Sequence, residues 1–284
     1  MVWRAGEAKL RGEAVSGRVV DPADGFPAMA VGGVRAARKH YFLEYYASIM
    51  TKLKMFPRRA FVDLFAGPGR VKLEETGAFD DGSPLKAIRH DFTEFVFVEL
   101  DRDYADALRV RLQVREKTRP VAVLQGDCND RIDEVVRLIP PHGLTLAFID
   151  PTNWQIRFET VRKLAAVPRV DLVVSMFLGS MKRVPAGTRP DIDRFFGTSR
   201  WREEPYTRAD GSLTLDGMMR CYREQLEGLG YLNRPSAREI VVHAKEGGPP
   251  LYLLAFFSRD ELGYKFWDQA TRRDETGQMT FALN

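Results

Sequence analysis

Residues 61–69 read Phe61-Val62-Asp63-Leu64-Phe65-Ala66-Gly67-Pro68-Gly69, an apolar run that ends in an acid and then breaks into a glycine turn. A run of this length and composition predicts a buried parallel strand over Ala60 to Phe65. A Gly-x-Gly turn lets backbone approach a ligand that any β-carbon would hold off. Ligands of parallel sheets sit beyond the carboxyl ends of the strands. The stretch is therefore read as a strand whose tip holds a nucleotide-like cofactor; simple strand termination is the plainer alternative.

The same residues argue against phosphate cradling. A dinucleotide fold needs G-x-G-x-x-G running straight into a helix, and a P-loop needs G-x-x-x-x-G-K-[ST]. Neither is present. Arg70 to Asp81 reads as a loop of about a dozen residues, and only then does Gly82-Ser83-Pro84-Leu85-Lys86 open a helix, with Ser83 as its N-cap and Pro84 in its first turn. That helix starts too late to hold a pyrophosphate closely.

The 284 residues suffice for one large α/β domain or two small ones, and 44% hydrophobic with 29% charged residues is a globular composition. No stretch is long and apolar enough for a membrane span, and the start of the chain, with Arg4, Glu7, Lys9, Arg11 and Glu13, lacks a signal-like apolar core. The expected location is the cytoplasm. Two cysteines, Cys128 and Cys221, form neither a disulfide framework nor a zinc set. The net charge of +4 leans weakly toward an acidic partner.

Residues 1–33 show little periodicity and are expected to be an irregular arm. From Val34, Tyr41, Phe42, Tyr45, Tyr46, Ile49, Met50 and Leu53 recur at helical spacing, with Lys39 and His40 near the start. Four further strands then alternate with helices: Glu94 to Leu100, Val121 to Leu124, Leu144 to Ile149 and Val170 to Ser175. This alternation predicts a doubly wound, mainly parallel α/β sheet over residues 34–284. A basic and aromatic insertion occupies about residues 181–212, including Lys182, Arg183, Arg194, Phe195, Phe196, Trp201 and Arg202. A helix over Leu213 to Leu229 follows, and Arg238 to His243 and Leu251 to Phe257 form a hairpin, so one of its strands runs antiparallel to the rest.

Asp63, Glu99, Asp127 and Asp150 each follow or end a strand, which brings four carboxylates to one edge. Glu99 can accept both hydrogen bonds of a ribose diol, and Asp127 can accept from an exocyclic amine. S-adenosylmethionine meets these demands without a phosphate. The same acids could instead hold Mg²⁺, as in a metal-dependent nuclease, although no adjacent His or Lys joins them.

Asp63-Leu64-Phe65-Ala66-Gly67-Pro68-Gly69, Gly82-Ser83-Pro84-Leu85, Phe97-Val98-Glu99, Phe148-Ile149-Asp150-Pro151 and Phe257-Ser258-Arg259-Asp260-Glu261-Leu262-Gly263 together resemble the three-Cys-motif partner protein family. This is a bacterial family encoded beside a radical-enzyme-like protein. The resemblance runs over roughly Lys39 to Ala270. It implies a seven-stranded, Rossmann-like class I methyltransferase fold with an antiparallel last strand, and S-adenosylmethionine as cofactor. It also implies that Asp63, Phe65, Gly67 and Gly69 border the methionine part, with Glu99 at the ribose and Asp127 at the adenine.

Asp150-Pro151 stands where amino-methyltransferases of nucleic acid carry an acid or amide, two prolines and an aromatic. Here Thr152 replaces the second proline and Asn153 precedes Trp154. Asp150, Pro151 and Trp154 are the expected catalytic group, with Asp150 orienting the acceptor or acting as base and Trp154 stacking on it. A cytosine-5 mechanism needs a Pro-Cys nucleophile, and Cys128 follows Asp127 instead. Arg194, Trp201 and Arg202 of the insertion are expected to bind substrate, since arginines can neutralise phosphates while aromatics stack bases. The leading expectation is a methyltransferase acting on nucleic acid or a modified nucleotide. A cofactor-binding but inactive partner subunit of the radical-enzyme-like protein, in DNA repair or phage defence, is the second. A nuclease is the third.

Overall fold

Side-chain direction alternates along each central strand, and here both directions are apolar. In the computed structural model, Phe61, Phe95, Phe97, Leu146 and Phe148 enter one core, while Val62, Val96, Val98, Ala147 and Ile149 enter the other. A sheet built this way must be covered by helices on both faces. The structure describes residues 18–178, 189–209, 211–234, 239–243 and 250–272. Lys182 and Arg183 of the insertion and the Gly247-Gly248-Pro249 turn lie outside them.

The central sheet uses β3 (Arg59–Asp63), β6 (Glu94–Glu99), β7 (Val121–Gln125), β8 (Leu144–Ile149), β9 (Val170–Phe177), β10 (Ile240–His243) and β11 (Pro250–Phe257). Their order is β10-β11-β9-β8-β3-β6-β7. Strands β9, β8, β3, β6 and β7 are mutually parallel, and β11 is antiparallel to both of its neighbours. This is the expected doubly wound sheet with its reversed last strand. The chain leaves β3 toward β6 and β7, then returns to β8 on the other side. The tip of β3 is therefore the switch point where such sheets open a crevice.

One face is covered by α1 (Gly33–Met50), α2 (Ser83–Ala87), α3 (Arg102–Arg115) and α8 (Glu261–Thr271). The other is covered by α4 (Cys128–Leu138), α5 (Phe158–Ala165), α6 (Pro190–Phe196) and α7 (Leu215–Glu227). The insertion belongs to that second layer. Phe195, Phe196, Trp201 and Tyr206 are buried with Tyr222 of α7. Among the described residues, no helix is long and apolar enough to cross a membrane.

Two segments differ from the expectation of irregular chain. Residues 18–31 carry a hairpin, β1 (Arg18–Val20) and β2 (Pro27–Val31), and the expected loop after Gly69 carries β4 (Arg70–Leu73) and β5 (Phe79–Asp81). They make a second, four-stranded sheet in which β2 pairs β4 in parallel across about forty positions of sequence. Strands this short have no readable alternation, and long-range pairing is what stabilises them. Arginines supply the rest. Arg70 spans Asp21 at 2.7 Å and Asp81 at 2.8 Å. Arg111, on the buried side of α3, bonds Asp24 at 2.7 and 2.8 Å and the Pro27 and Pro68 carbonyls at 2.8 and 2.7 Å.

Candidate functional site

The turn after β3 is held by its neighbours on both sides. Leu64 N–H donates to the Phe148 carbonyl at 3.1 Å and Ala66 N–H to that of Val98 at 3.0 Å. Gly67 is thereby delivered to Glu99, whose Oε2 accepts its N–H at 2.7 Å. Oε1 of Glu99 accepts the Asp101 N–H at 2.8 Å. Gly67 and Gly69 have φ of +63° and +81°, a region that side chains avoid. A β-carbon on Gly69 would lie 2.9 Å from Leu108 Cδ1 of α3, so this glycine answers to packing as well as to the turn.

Beyond this turn lies a cleft of about 470 Å³. Phe65, Gly67, Gly69, Glu99, Asp127, Asp150 and Pro151 all line it. Its far wall is the small sheet, through Met29, Val31 and Val71. Leu100, next to Glu99, is 64% exposed on the cleft side, an apolar platform beside an acid. Asp127 caps α4: its Oδ1 accepts from Asn129 N and Nδ2, both at 2.8 Å, and no described residue bonds its Oδ2.

Asp63 does not line the cleft. It is fully buried below it, where Oδ2 accepts from the Ser83 hydroxyl at 2.6 Å and Oδ1 from Phe65 N–H at 3.0 Å. Ser83 is thus not the N-cap of α2: Gly82 holds that position, and the serine hydroxyl is spent on the acid. Burial pushes the Asp63 carboxyl up to about 7. Glu99 is also raised by burial, against the pull of the Asp101, Gly67 and Leu100 backbone N–H groups.

Asp150 is not a lone acid. Lys39 of α1 donates to its Oδ1 and Oδ2 at 2.8 and 2.7 Å, and the same ammonium lies 4.3 Å from the centre of the Tyr252 ring on β11. Next to it, His40 is buried and its imidazole is pushed down to about 3, by desolvation first and then by Lys86 and Lys39.

Three further expected site residues are placed differently. Trp154 is turned away from the cleft and meets Phe195 edge to face at 4.8 Å. Its indole N–H is buried with no described partner. Trp201 is 1% exposed, and its N–H donates to Asp193 at 2.8 Å. Arg202 bonds the same carboxylate at 2.9 Å and lies over the Trp201 ring. Both tryptophans are buried because the insertion needs a core of its own on α7, and large aromatics supply it. Arg194 does stay exposed, and with Arg157 and Arg162 it lines a shallow depression between α5, α6 and α7. Arg157 adjoins the cleft through Asn129, whose Oδ1 accepts its N–H at 2.9 Å.

Sequence reasoning did not find Lys39, Tyr252, Met29 or Leu100. Only Leu100 carried a signal, an apolar residue past the end of its strand. The other three reach the cleft from elements far away in sequence.

No family model and no curated protein matches this sequence. Solved structures do. Protein LPL1258 from Legionella pneumophila, of the DUF519 group, superposes with a TM-score of 0.52 at 13% identity, over 88% of this chain and 96% of that one. Trm1 from Pyrococcus horikoshii, solved with S-adenosyl-L-methionine, gives 0.49 at 11% identity over 94% and 68%. The candidate methyltransferase YhhF from Escherichia coli gives 0.45 at 13% identity over 86% and 99%. Strand order, the reversed β11 and the cleft at the tip of β3 define the chain's fold as that of the class I methyltransferases.

Proposed function

We propose that the protein is an S-adenosylmethionine-dependent methyltransferase whose acceptor is nucleic acid or a modified nucleotide. The observation that carries this reading is Glu99. Each of its oxygens holds one backbone N–H, which leaves each a lone pair for one hydroxyl of a ribose diol. Leu100 offers apolar area for a purine face, and Asp127 Oδ2 offers an acceptor for an exocyclic amine. These groups suit an adenosine, and the cleft volume of about 470 Å³ is that of a small-molecule site.

When bound, S-adenosylmethionine supplies an electrophilic methyl group on sulfur. The chain's own residues would bind and orient the two reactants. Asp150, balanced by Lys39, is suited to orient an amine by accepting its hydrogen bond. Tyr252 offers the cleft an aromatic ring in place of the one that Trp154 withdraws. Arg157, Arg162 and Arg194 would meet phosphates in the separate shallow depression between α5, α6 and α7. Labelled methyl transfer from S-adenosylmethionine to DNA, RNA and nucleotide pools tests the reading, and it fails if no pool accepts label while the cofactor binds.

A second reading has its own support. Thr152 and Asn153 break the acceptor motif, and Trp154 faces away. These changes favour a cofactor-binding partner subunit of a three-Cys-motif radical-enzyme-like protein, in the cytoplasm, with little turnover of its own. Co-purification with that protein and stoichiometric cofactor binding without transfer would favour it. Among the described residues no His, Cys, Asp and Glu side chains group as metal ligands, so the nuclease reading has no support in the geometry.

A further inference from the structure

A second cavity, of about 520 Å³, opens at the opposite edge of the sheet, where β8 and β9 begin. Its walls are Met50, Leu53, Phe56, Leu144, Leu262 and Phe266, contributed by the end of α1, the turn after it, the start of β8 and the first turns of α8. Leu262 is 40% exposed at the rim, an apolar side chain left to solvent.

The polar side chains of this cavity are the acids Asp171 and Asp260, the hydroxyls of Tyr46 and Ser258, and two arginines, Arg169 and Arg259. Asp171 of β9 accepts from the Tyr46 hydroxyl at 2.6 Å and is also bonded by Ser258. Asp260 stands beside it, using Oδ1 to cap α8 at Leu262 N–H, 2.8 Å away. Neither acid forms an ion pair with a described residue. The two arginines of the rim are turned elsewhere. Arg259 donates to the carbonyls of Ala165, Val167 and Leu229. Arg169 has its guanidinium 5.5 Å from the Phe56 ring. Burial and the neighbouring Asp260 push the Asp171 carboxyl up to about 6, against the pull of its two hydroxyl donors. An anionic group in an apolar cavity with no cation beside it is costly, and a ligand that brings the cation relieves that cost.

We propose that this cavity is a second ligand site that takes a small apolar amine, its ammonium on the Asp171 carboxylate and its body against Leu53, Phe56 and Phe266. An acid is excluded by like charge. A neutral molecule of the same shape gains the apolar contact but leaves Asp171 uncompensated. The site lies across the sheet from the cofactor cleft, so it stands or falls independently of the function proposed above.

The probe is phenethylamine, with phenethyl alcohol as its neutral twin, titrated calorimetrically into the full chain at about pH 8, where Asp171 is ionised. The expected result is saturable binding of the amine, weaker by about tenfold or more for the alcohol, with that preference lost in Asp171→Asn. Leu262→Trp, a change at an exposed position, should block both ligands and separates a filled site from a disturbed fold. Equal binding of amine and alcohol, retained preference in Asp171→Asn, or no saturable binding of either would overturn the proposal.

Discussion

Lys39 and Asp150 meet through both carboxylate oxygens, at 2.8 and 2.7 Å, so a cation from α1 and an acid at the tip of β8 act as one unit. Their side chains are 9% and 19% exposed, which leaves solvent little part in screening the pair. Removing one member strands the other, whereas removing both is far milder. Lys39→Met and Asp150→Asn should each lower unfolding free energy by about 1–3 kcal/mol, and the double variant by much less than their sum. Urea denaturation of the four proteins measures the coupling. Strict additivity would mean that the pair contributes nothing.

Glu99 and the turn glycine Gly69 should separate in their effects. Glu99→Gln keeps one acceptor for a backbone N–H but loses charge and one acceptor, so S-adenosylmethionine affinity should fall about tenfold or more with only a modest change in stability. Gly69→Ala places a β-carbon 2.9 Å from Leu108 Cδ1 at φ +81°, and should cost about 1–3 kcal/mol of folding stability. Calorimetric titration together with thermal unfolding distinguishes the two.

Two buried groups pull the pH dependence in opposite directions. Burial raises Asp63 from 3.8 to about 7, so the folded state holds an extra proton in that window, and its contribution to stability is lost as pH rises through about 7. Asp171, raised to about 6, has the same sense. Burial lowers His40 from 6.5 to about 3, so the folded state lacks a proton there, and its contribution is lost as pH falls below about 6.5. In Asp63→Asn, stability should rise more steeply with pH between about 4 and 7 than in the parent. In His40→Gln it should fall more steeply. Each effect is a few kcal/mol at most, since one pKa unit is about 1.4 kcal/mol. Denaturation midpoints across this range check both slopes.

These groups also mark how far the sequence could be read. The acids Glu99, Asp127 and Asp150 follow from strand length and turn position, because a parallel strand delivers its last residue to a known edge. Asp63 obeys the same rule yet lies beneath Ser83, a depth that periodicity does not encode. Trp154 and Trp201 look like stacking residues in a linear motif, but the described part of the insertion packs the nearest aromatics into a core. Lys39 reaches Asp150 across 111 positions, and β2 pairs with β4 through the fold alone. Such partners leave no local pattern.

The exposed arginines of the depression and the buried tryptophan of the insertion should differ in kind. Arg162→Glu with Arg194→Glu, both on the surface, should weaken any binding to single-stranded nucleic acid and reduce its salt dependence while leaving stability within about 0.5 kcal/mol. Trp201→Phe removes the N–H bond to Asp193 and should cost about 1–3 kcal/mol. Fluorescence anisotropy at several salt concentrations, alongside urea denaturation, reads both. Loss of nucleic-acid binding in Trp201→Phe at unchanged stability would contradict the buried placement.

The central claim is that the cleft between Glu99, Asp127 and the Gly67 turn holds S-adenosylmethionine. Calorimetric titration of the purified protein with S-adenosylmethionine and with S-adenosylhomocysteine tests it directly. The account predicts one-to-one binding of both with dissociation constants on the order of micromolar, about −8 kcal/mol, and about tenfold or greater loss in Glu99→Gln. No heat of binding from either ligand, or full affinity in Glu99→Gln, would contradict it.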